Sequence, residues 1–197
     1  YCAADGVQRL RALYSSFSDG VWLYAWRVAH VAELNIITCC PETLLNRNII
    51  MKIEAAHPSQ FERLVAVWES SVRATHRFLQ ESDIAALRPL LLNAYLPNLR
   101  VVIARDDVGI IHGFLGVDKN RIEMLFVDDA SRGKGIGKML LQYAIAEFGA
   151  NEVDVNEQNP QGVAFYRHMG FEQFGRSELD GQGNPFPLLH MRLSGQA

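Results

Sequence analysis

Three glycines at alternate positions, in Ser131-Arg132-Gly133-Lys134-Gly135-Ile136-Gly137-Lys138, separate the apolar run Ile122 to Val127 from an amphipathic segment that begins at Ile136. Glycine tolerates φ > 0 and lets a ligand approach the main chain closely, so the segment predicts a strand, a bare-backbone turn and a helix in succession. Consecutive N–H groups at a helix N-terminus form an anion site, and the expected ligand bears phosphate.

Two familiar phosphate loops do not fit. A nucleoside-triphosphate loop needs Gly separated by four residues from the Gly-Lys pair and Ser or Thr after it, whereas Arg132 and Met139 occupy those places. A dinucleotide fingerprint needs its third glycine one residue beyond Gly137 and a strand that begins a βαβ unit. Asp154, at a tempting distance, does not rescue that pattern.

From Met51 onward, helical and strand periods alternate. Lys52 to Ala56 reads as a strand. Phe61, Leu64, Val65 and Trp68 recur at helical spacing, and a second helix runs from about Glu81 to Tyr95, interrupted near Pro89 and ended by Pro97. Strands are expected over Arg100 to Arg105, Gly109 to Val117 and Arg121 to Asp128. The helix from Ile136 ends at Gly149, Glu152 to Asn156 is a strand, and Asn159-Pro160 starts a helix closed by Gly170. A hairpin of Phe171 to Leu179 and Phe186 to Leu193 completes the chain.

At 197 residues and 49% hydrophobic, the chain suits one α/β domain with an extension. A net charge of −3 argues against general nucleic-acid binding, and no apolar run approaches membrane-spanning length. The cysteines, Cys2, Cys39 and Cys40, all precede the domain, which excludes a disulfide framework there and suits a reducing cytoplasm. Residues 1–50 read as an N-terminal extension, either non-native or upstream of the domain, or a helical appendage around Val7 to Leu34. Residues 51–197 form the domain. No metal site is expected.

The motif Arg132-Gly133-Lys134-Gly135-Ile136-Gly137 resembles the Q/R-x-x-G-x-G/A signature of the GNAT superfamily of acyl-CoA-dependent N-acetyltransferases. So do the preceding three-strand meander, the following helix, and Asn159 through Tyr166 followed by Gly170-Phe171, with Gly162 where the family usually has Ala. The resemblance covers about Met51 to Leu193. It implies a mixed α/β sheet of six to seven strands, splayed between the fourth and fifth, flanked by about four helices, with acetyl-CoA in the gap as co-substrate. It further implies that backbone N–H groups of Arg132, Gly133, Lys134, Gly135, Ile136, Gly137 and Lys138 hold the pyrophosphate. Phe126 and Val127 would line the pantetheine arm, with the Val127 backbone pairing to it as a strand edge would. Asn156 and Asn159 would orient the cofactor or cap the following helix.

Acetyl transfer needs a neutral amine and a protonated leaving sulfur. Tyr166, where many members carry an acid, is expected to hand its proton downhill to the thiolate, on free pKa values near 10 and 8.5. Glu123 is the leading base. Strict alternation places it with Leu125 and Val127, opposite Ile122, Met124 and Phe126, and a carboxylate on so apolar a strand suggests a cleft. His76, between the first two helices, is the rival base. His190 also stands as a residue that could face the acceptor. Trp68, Phe78, Tyr95, Phe174 and Phe186 read equally as acceptor lining or core. The acceptor is a small-molecule amine or a protein amine, the assembly is compatible with a homodimer, and the alternative function is a non-catalytic acyl-CoA-binding sensor or subunit. An O-directed or peptide-directed acyltransferase remains open.

Overall fold

The computed structural model describes residues 50–195. The expected extension up to residue 49, with its helical appendage and all three cysteines, lies outside the described residues. Seven strands form one mixed sheet in the order β1-β2-β3-β4-β5-β7-β6. They are β1 (Lys52–Ala55), β2 (Arg100–Arg105), β3 (Ile111–Asp118), β4 (Arg121–Val127), β5 (Glu152–Asn156), β6 (Phe171–Ser177) and β7 (Leu188–Leu193). Among the described residues, four α-helices accompany them: α1 (Phe61–Thr75), α2 (Glu81–Leu90), α3 (Ile136–Phe148) and α4 (Pro160–His168).

Each sheet face is covered by one helix pair. Leu64, Val65, Val67, Trp68 and Val72 of α1, with Ile84 of α2, pack on Val101, Ile103, Phe114 and Met124. On the other face Ile136, Leu140, Leu141 and Ala144 of α3, with Val163 and Tyr166 of α4, pack on Val102, Leu115, Val117 and Ile122. Trp68 is therefore core, which decides one of the open readings above.

The sheet has one parallel neighbour pair, β4 and β5, and its pairing is short: Arg121 faces Glu152 and Ile122 faces Val153, after which the strands part. The closed end is pinned where Asn120 O accepts from the N–H groups of Asn151 and Glu152. A wedge therefore opens from Glu123 toward Val127.

Two local details differ from expectation. The second helix passes through Pro89 and widens into a π turn over Leu91–Tyr95, while Pro97 sits in a following 3-10 turn. Proline lacks the N–H that would continue the i→i−4 ladder, and a widened turn is one way to absorb the mismatch. The last hairpin has shorter strands than its apolar residues suggest, because Asp180 ties the connecting loop through Gln182 and Asn184.

Candidate active site

The wedge is a cavity of about 480 Å³, bordered by β4 from Ile122 to Val127, by β5, by the glycine loop, and by α4. At its wide end the chain leaves β4 through a 3-10 turn, Asp129–Ser131, capped by the Asp128 carboxylate. Gly133 and Gly135 take φ of 74° and 80°, the left-handed region that costs any other L-residue about 1–2 kcal/mol. Gly137 does not. It lies in the first turn of α3, where a Cβ would meet the Phe165 ring at 3.6 Å, an ordinary contact. Two of the three glycines thus shape the backbone, and the third needs no special conformation.

Among the described residues, no N–H from Gly133 to Lys138 donates within the protein. These are the orphan donors of a helix start, gathered at a cavity rim, and they fit a diphosphate. Arg132 departs from expectation, because its N–H is already given to Asp129 O at 3.2 Å. Its guanidinium bridges Asp129 and Gln161, at 3.6 Å and 2.5 Å, which ties the loop to α4. Lys134 keeps its N–H free with the rest of the loop, but its side chain turns away. Its Nζ folds back 3.0 Å onto Ala130 O, and its side chain does not border the cavity. The other expected cofactor contacts, Phe126, Val127, Arg132, Gly133, Gly135, Ile136, Gly137, Lys138, Asn156, Asn159 and Tyr166, all border it.

The asparagines divide their work. Asn159 caps α4 by accepting from Gly162 N–H at 3.0 Å, and Asn156 accepts from Gln158 N–H at 2.8 Å to make the preceding turn. A Cβ on residue 162 would come within 2.8 Å of Asn159 Nδ2, so glycine there lets the cap close tightly.

Glu123 occupies an unexpected backbone position. Gly116 pairs with Met124 and Val117 with Ile122, so Glu123 is the extra residue of a β-bulge. The bulge overturns strict alternation: Ile122 joins Leu125 and Val127 on the α3 and α4 face, while Met124 and Phe126 lie on the other. Glu123 sits immediately past the last β4–β5 pair and borders both the wedge and a second cavity of about 610 Å³. Ala94, Tyr95, Asn98, Leu99, Asp118 and Met124 line the remainder of that second space. Desolvation raises the Glu123 carboxyl; Arg121 opposes this, while Asp154 and Asp118 add to it.

Tyr166, from α4, is 8% exposed and borders the wedge, with its ring edge-on to Phe165 and Phe171. Burial pushes its phenol upward. The expected downhill proton transfer needs correction. On free pKa values, moving a proton from phenol to thiolate is uphill by about 2 kcal/mol, and burial of the phenol steepens it. A thiolate desolvated in the same pocket also becomes more basic, which narrows the gap. Tyr166 is thus a neutral phenol with a proton to donate, on the wall of the wedge.

His76 caps the C-terminus of α1 and borders the wedge, its Nδ1 2.7 Å from Thr75 Oγ1 and its ring against Phe78 and Phe126. Burial pushes it down to about 4, so it remains neutral near pH 7 and is a weak base toward an ammonium. His190 faces Asp154, not a free cleft: Nδ1 is 2.7 Å from Asp154 Oδ1 and Nε2 is 2.7 Å from Ser177 Oγ. Asp154, weighed in the sequence only for a dinucleotide pattern, borders the wedge and also binds Arg121 at 2.6 Å. Its signal was absent because β5 and β7 are 36 residues apart at that contact. Of the candidate acceptor aromatics, Tyr95 borders the second cavity and bonds Gln182 of the last loop, while Phe78 stacks on Phe186. Phe174 is 55% exposed under Arg192.

Residues 77–194 match the Acetyltransferase (GNAT) domain. Peptidyl-lysine N-acetyltransferase YjaB of Salmonella typhimurium is 38% identical over 143 residues, 73% of this chain and 98% of that protein. The Escherichia coli protein of the same name is 35% identical over 147 residues, covering 75% and 99%. The solution structure of apo-form YjaB from Escherichia coli has a TM-score of 0.69 at 34% identity, covering 75% of this chain and 100% of that one. PaiA N-acetyltransferase from Thermoplasma acidophilum, in complex with coenzyme A, shares the fold at TM-score 0.57 and 22% identity, covering 74% and 99%. The chain belongs to the GNAT acetyltransferase family and is an N-acetyltransferase that uses acetyl-CoA, not the binding-only sensor held as the alternative.

Proposed function

We propose that the acceptor is the side-chain amine of a lysine in a polypeptide, that Glu123 is its base and that Tyr166 is the acid. The observation that carries this reading is the place of Glu123: past the last β4–β5 pair, on a bulge, where two cavities meet. The orphan amides of the wide end would hold the diphosphate. The second cavity, with Asp118 and Glu123 on its wall, would admit a slender cationic side chain. The YjaB relatives, named as peptidyl-lysine acetyltransferases, support the same acceptor class. A reducing cytoplasm suits a domain with no cysteine from residue 51 on.

The proton balance fits these residues. A lysine ammonium near pKa 10.4 is some 8 kcal/mol from giving its proton to a free carboxylate. Desolvation narrows the difference from both sides, raising Glu123 and lowering the bound ammonium. The nitrogen then sheds two protons. One leaves through Glu123 to solvent before attack. The C–N bond forms, the C–S bond breaks, Tyr166 gives its proton to sulfur, and the second proton of the nitrogen restores the phenol.

Acetyl-CoA incubated with lysine peptides, α-amino peptides blocked at lysine, and small polyamines, followed by mass spectrometry, tests the acceptor. Acetylation at lysine Nζ is expected. Turnover confined to α-amines or polyamines would overturn the proposal.

A further inference from the structure

One buried polar cluster is absorbed neither by the chemistry nor by the core. Asp106, 6% exposed, follows β2; its Oδ1 accepts from the N–H groups of Val108 and Ile110 at 3.1 Å and 2.7 Å. Its Oδ2 lies 2.9 Å from His112 Nε2, and His112 Nδ1 lies 2.7 Å from Ser131 Oγ. Ser131 is 4% exposed, opens the glycine loop and borders the wedge. A row of side chains thus runs from the β2–β3 turn to the rim where the diphosphate would sit.

The hydrogen-bond directions follow from what each group can donate. The His112 bond and the backbone amides hold the Asp106 carboxyl below its ordinary range, so it accepts only. The imidazole proton facing it is therefore on Nε2. In the neutral ring Nδ1 is then an acceptor, and it takes the hydroxyl proton of Ser131. Ser131 in that state turns lone pairs toward the cavity, which an anion does not favour. Protonating the ring reverses the bond: Nδ1–H donates to Oγ, and the Ser131 O–H is released toward the loop.

We infer that Ser131 is a hydrogen-bond donor to the cofactor's diphosphate, and that His112, held by Asp106, releases that donor by taking up a proton when the diphosphate binds. This rests on the reading that the glycine loop holds a diphosphate. The charged groups around this row are Asp106, the Arg105–Glu54 pair beside the β2–β3 turn, the Arg63 of α1 bonded to Ile111 O and Asp128, Lys134 on Ala130 O, and the Asp129–Arg132 pair at the loop entrance. A bound diphosphate adds negative charge to this set, which favours the imidazolium. His112 is a positioning residue in this scheme, since its ring touches no ligand, and Ser131 binds the diphosphate without doing chemistry.

Dephospho-coenzyme A is the probe, because it keeps the diphosphate but lacks the phosphate monoester that titrates near pH 6. Calorimetry on the full chain, in buffers of differing ionisation enthalpy at pH about 7.5, counts protons taken up per ligand bound. The wild type is expected to take up a substantial fraction of one proton. Ser131→Ala and His112→Gln should each abolish the uptake and weaken binding by up to about tenfold. Ser131→Thr, which keeps a hydroxyl, should restore both. Binding without proton exchange in the wild type, or uptake undiminished in Ser131→Ala, overturns the relay while leaving the diphosphate site standing. Failure of dephospho-coenzyme A to bind at all overturns the diphosphate reading, and the relay with it.

Discussion

At the wide end of the wedge, the groups offered to a ligand are main-chain amides: the N–H donors from Gly133 to Lys138, arranged by two left-handed glycines and the start of α3. Toward the narrow end they are side chains on the wall of one cavity, Glu123 from a bulge on β4 and Tyr166 from the last turn of α4. Amides are always donors and carry no proton to exchange, so the wide end can bind but not transfer. Carboxylates and phenols change protonation state, so the narrow end can react. Fixed dipoles also need backbone shape more than side-chain identity, which is why Arg132 and Lys134 can spend their charged groups on Asp129, Gln161 and Ala130 without stripping the site of donors.

This division predicts that changes at the narrow end act on turnover and changes at the wide end on affinity. The largest effect is expected for Glu123→Gln, which keeps the shape of the bulge residue but cannot accept a proton: kcat should fall by about 10²-fold or more, with the affinity for acetyl-CoA kept. In the wild type, activity should rise with pH as Glu123 ionises, and desolvation places that limb above the ordinary carboxylate range. Stopped assays across pH would read both, and an unchanged kcat in the variant would remove Glu123 as the base. Tyr166→Phe comes next. It leaves the ring contacts with Phe165 and Phe171 available, so kcat should drop at least about tenfold while calorimetry finds coenzyme A binding nearly intact. A loss of affinity without a loss of kcat would mean the hydroxyl serves binding.

How much of this was legible in the sequence follows the same division. The loop was readable because its function is written in consecutive residues, with glycines marking φ > 0 and an apolar strand and helix on either side. The splayed sheet and its helices also followed, by way of the family resemblance. Glu123 was singled out by a sound argument, a carboxylate on an apolar strand, but the strict alternation used with it put Ile122 on the wrong face. A bulge arises from the register between β3 and β4, and nothing within Ile122 to Val127 announces it. The Asp154–His190–Ser177 and Asp106–His112–Ser131 rows were invisible for a similar reason, since each is assembled by strand pairing or loop packing across distant positions. The Lys134 charge adds nothing to the loop's free N–H groups, because a nearer carbonyl, Ala130 O, takes its Nζ.

The smaller predictions test the wide end. Asn159→Ala removes the side chain that caps α4 and should cost about 1 kcal/mol, a fall in Tm of roughly 2–4 °C. Coenzyme A affinity should fall only modestly, since the Asn156 turn and the loop amides remain. A stability equal to wild type would show the cap to be replaceable by water.

The glycines give the finest comparison, because identical substitutions two residues apart should behave differently. Gly135→Ala has open space around its Cβ but a φ of 80°, so it is penalised by backbone conformation alone. At about 1–2 kcal/mol, the strain should either deform the loop and weaken coenzyme A binding by about tenfold, or appear as lost stability. Gly137→Ala has a helical backbone and places its Cβ in ordinary contact with Phe165 at 3.6 Å. Helix propensity favours alanine there by up to about 1 kcal/mol, so the variant should bind coenzyme A within about twofold of wild type and melt no lower. If Gly137→Ala proves the more damaging of the two, the amides act through close ligand approach at the first helical turn, and the left-handed turns before it are only a path to that point.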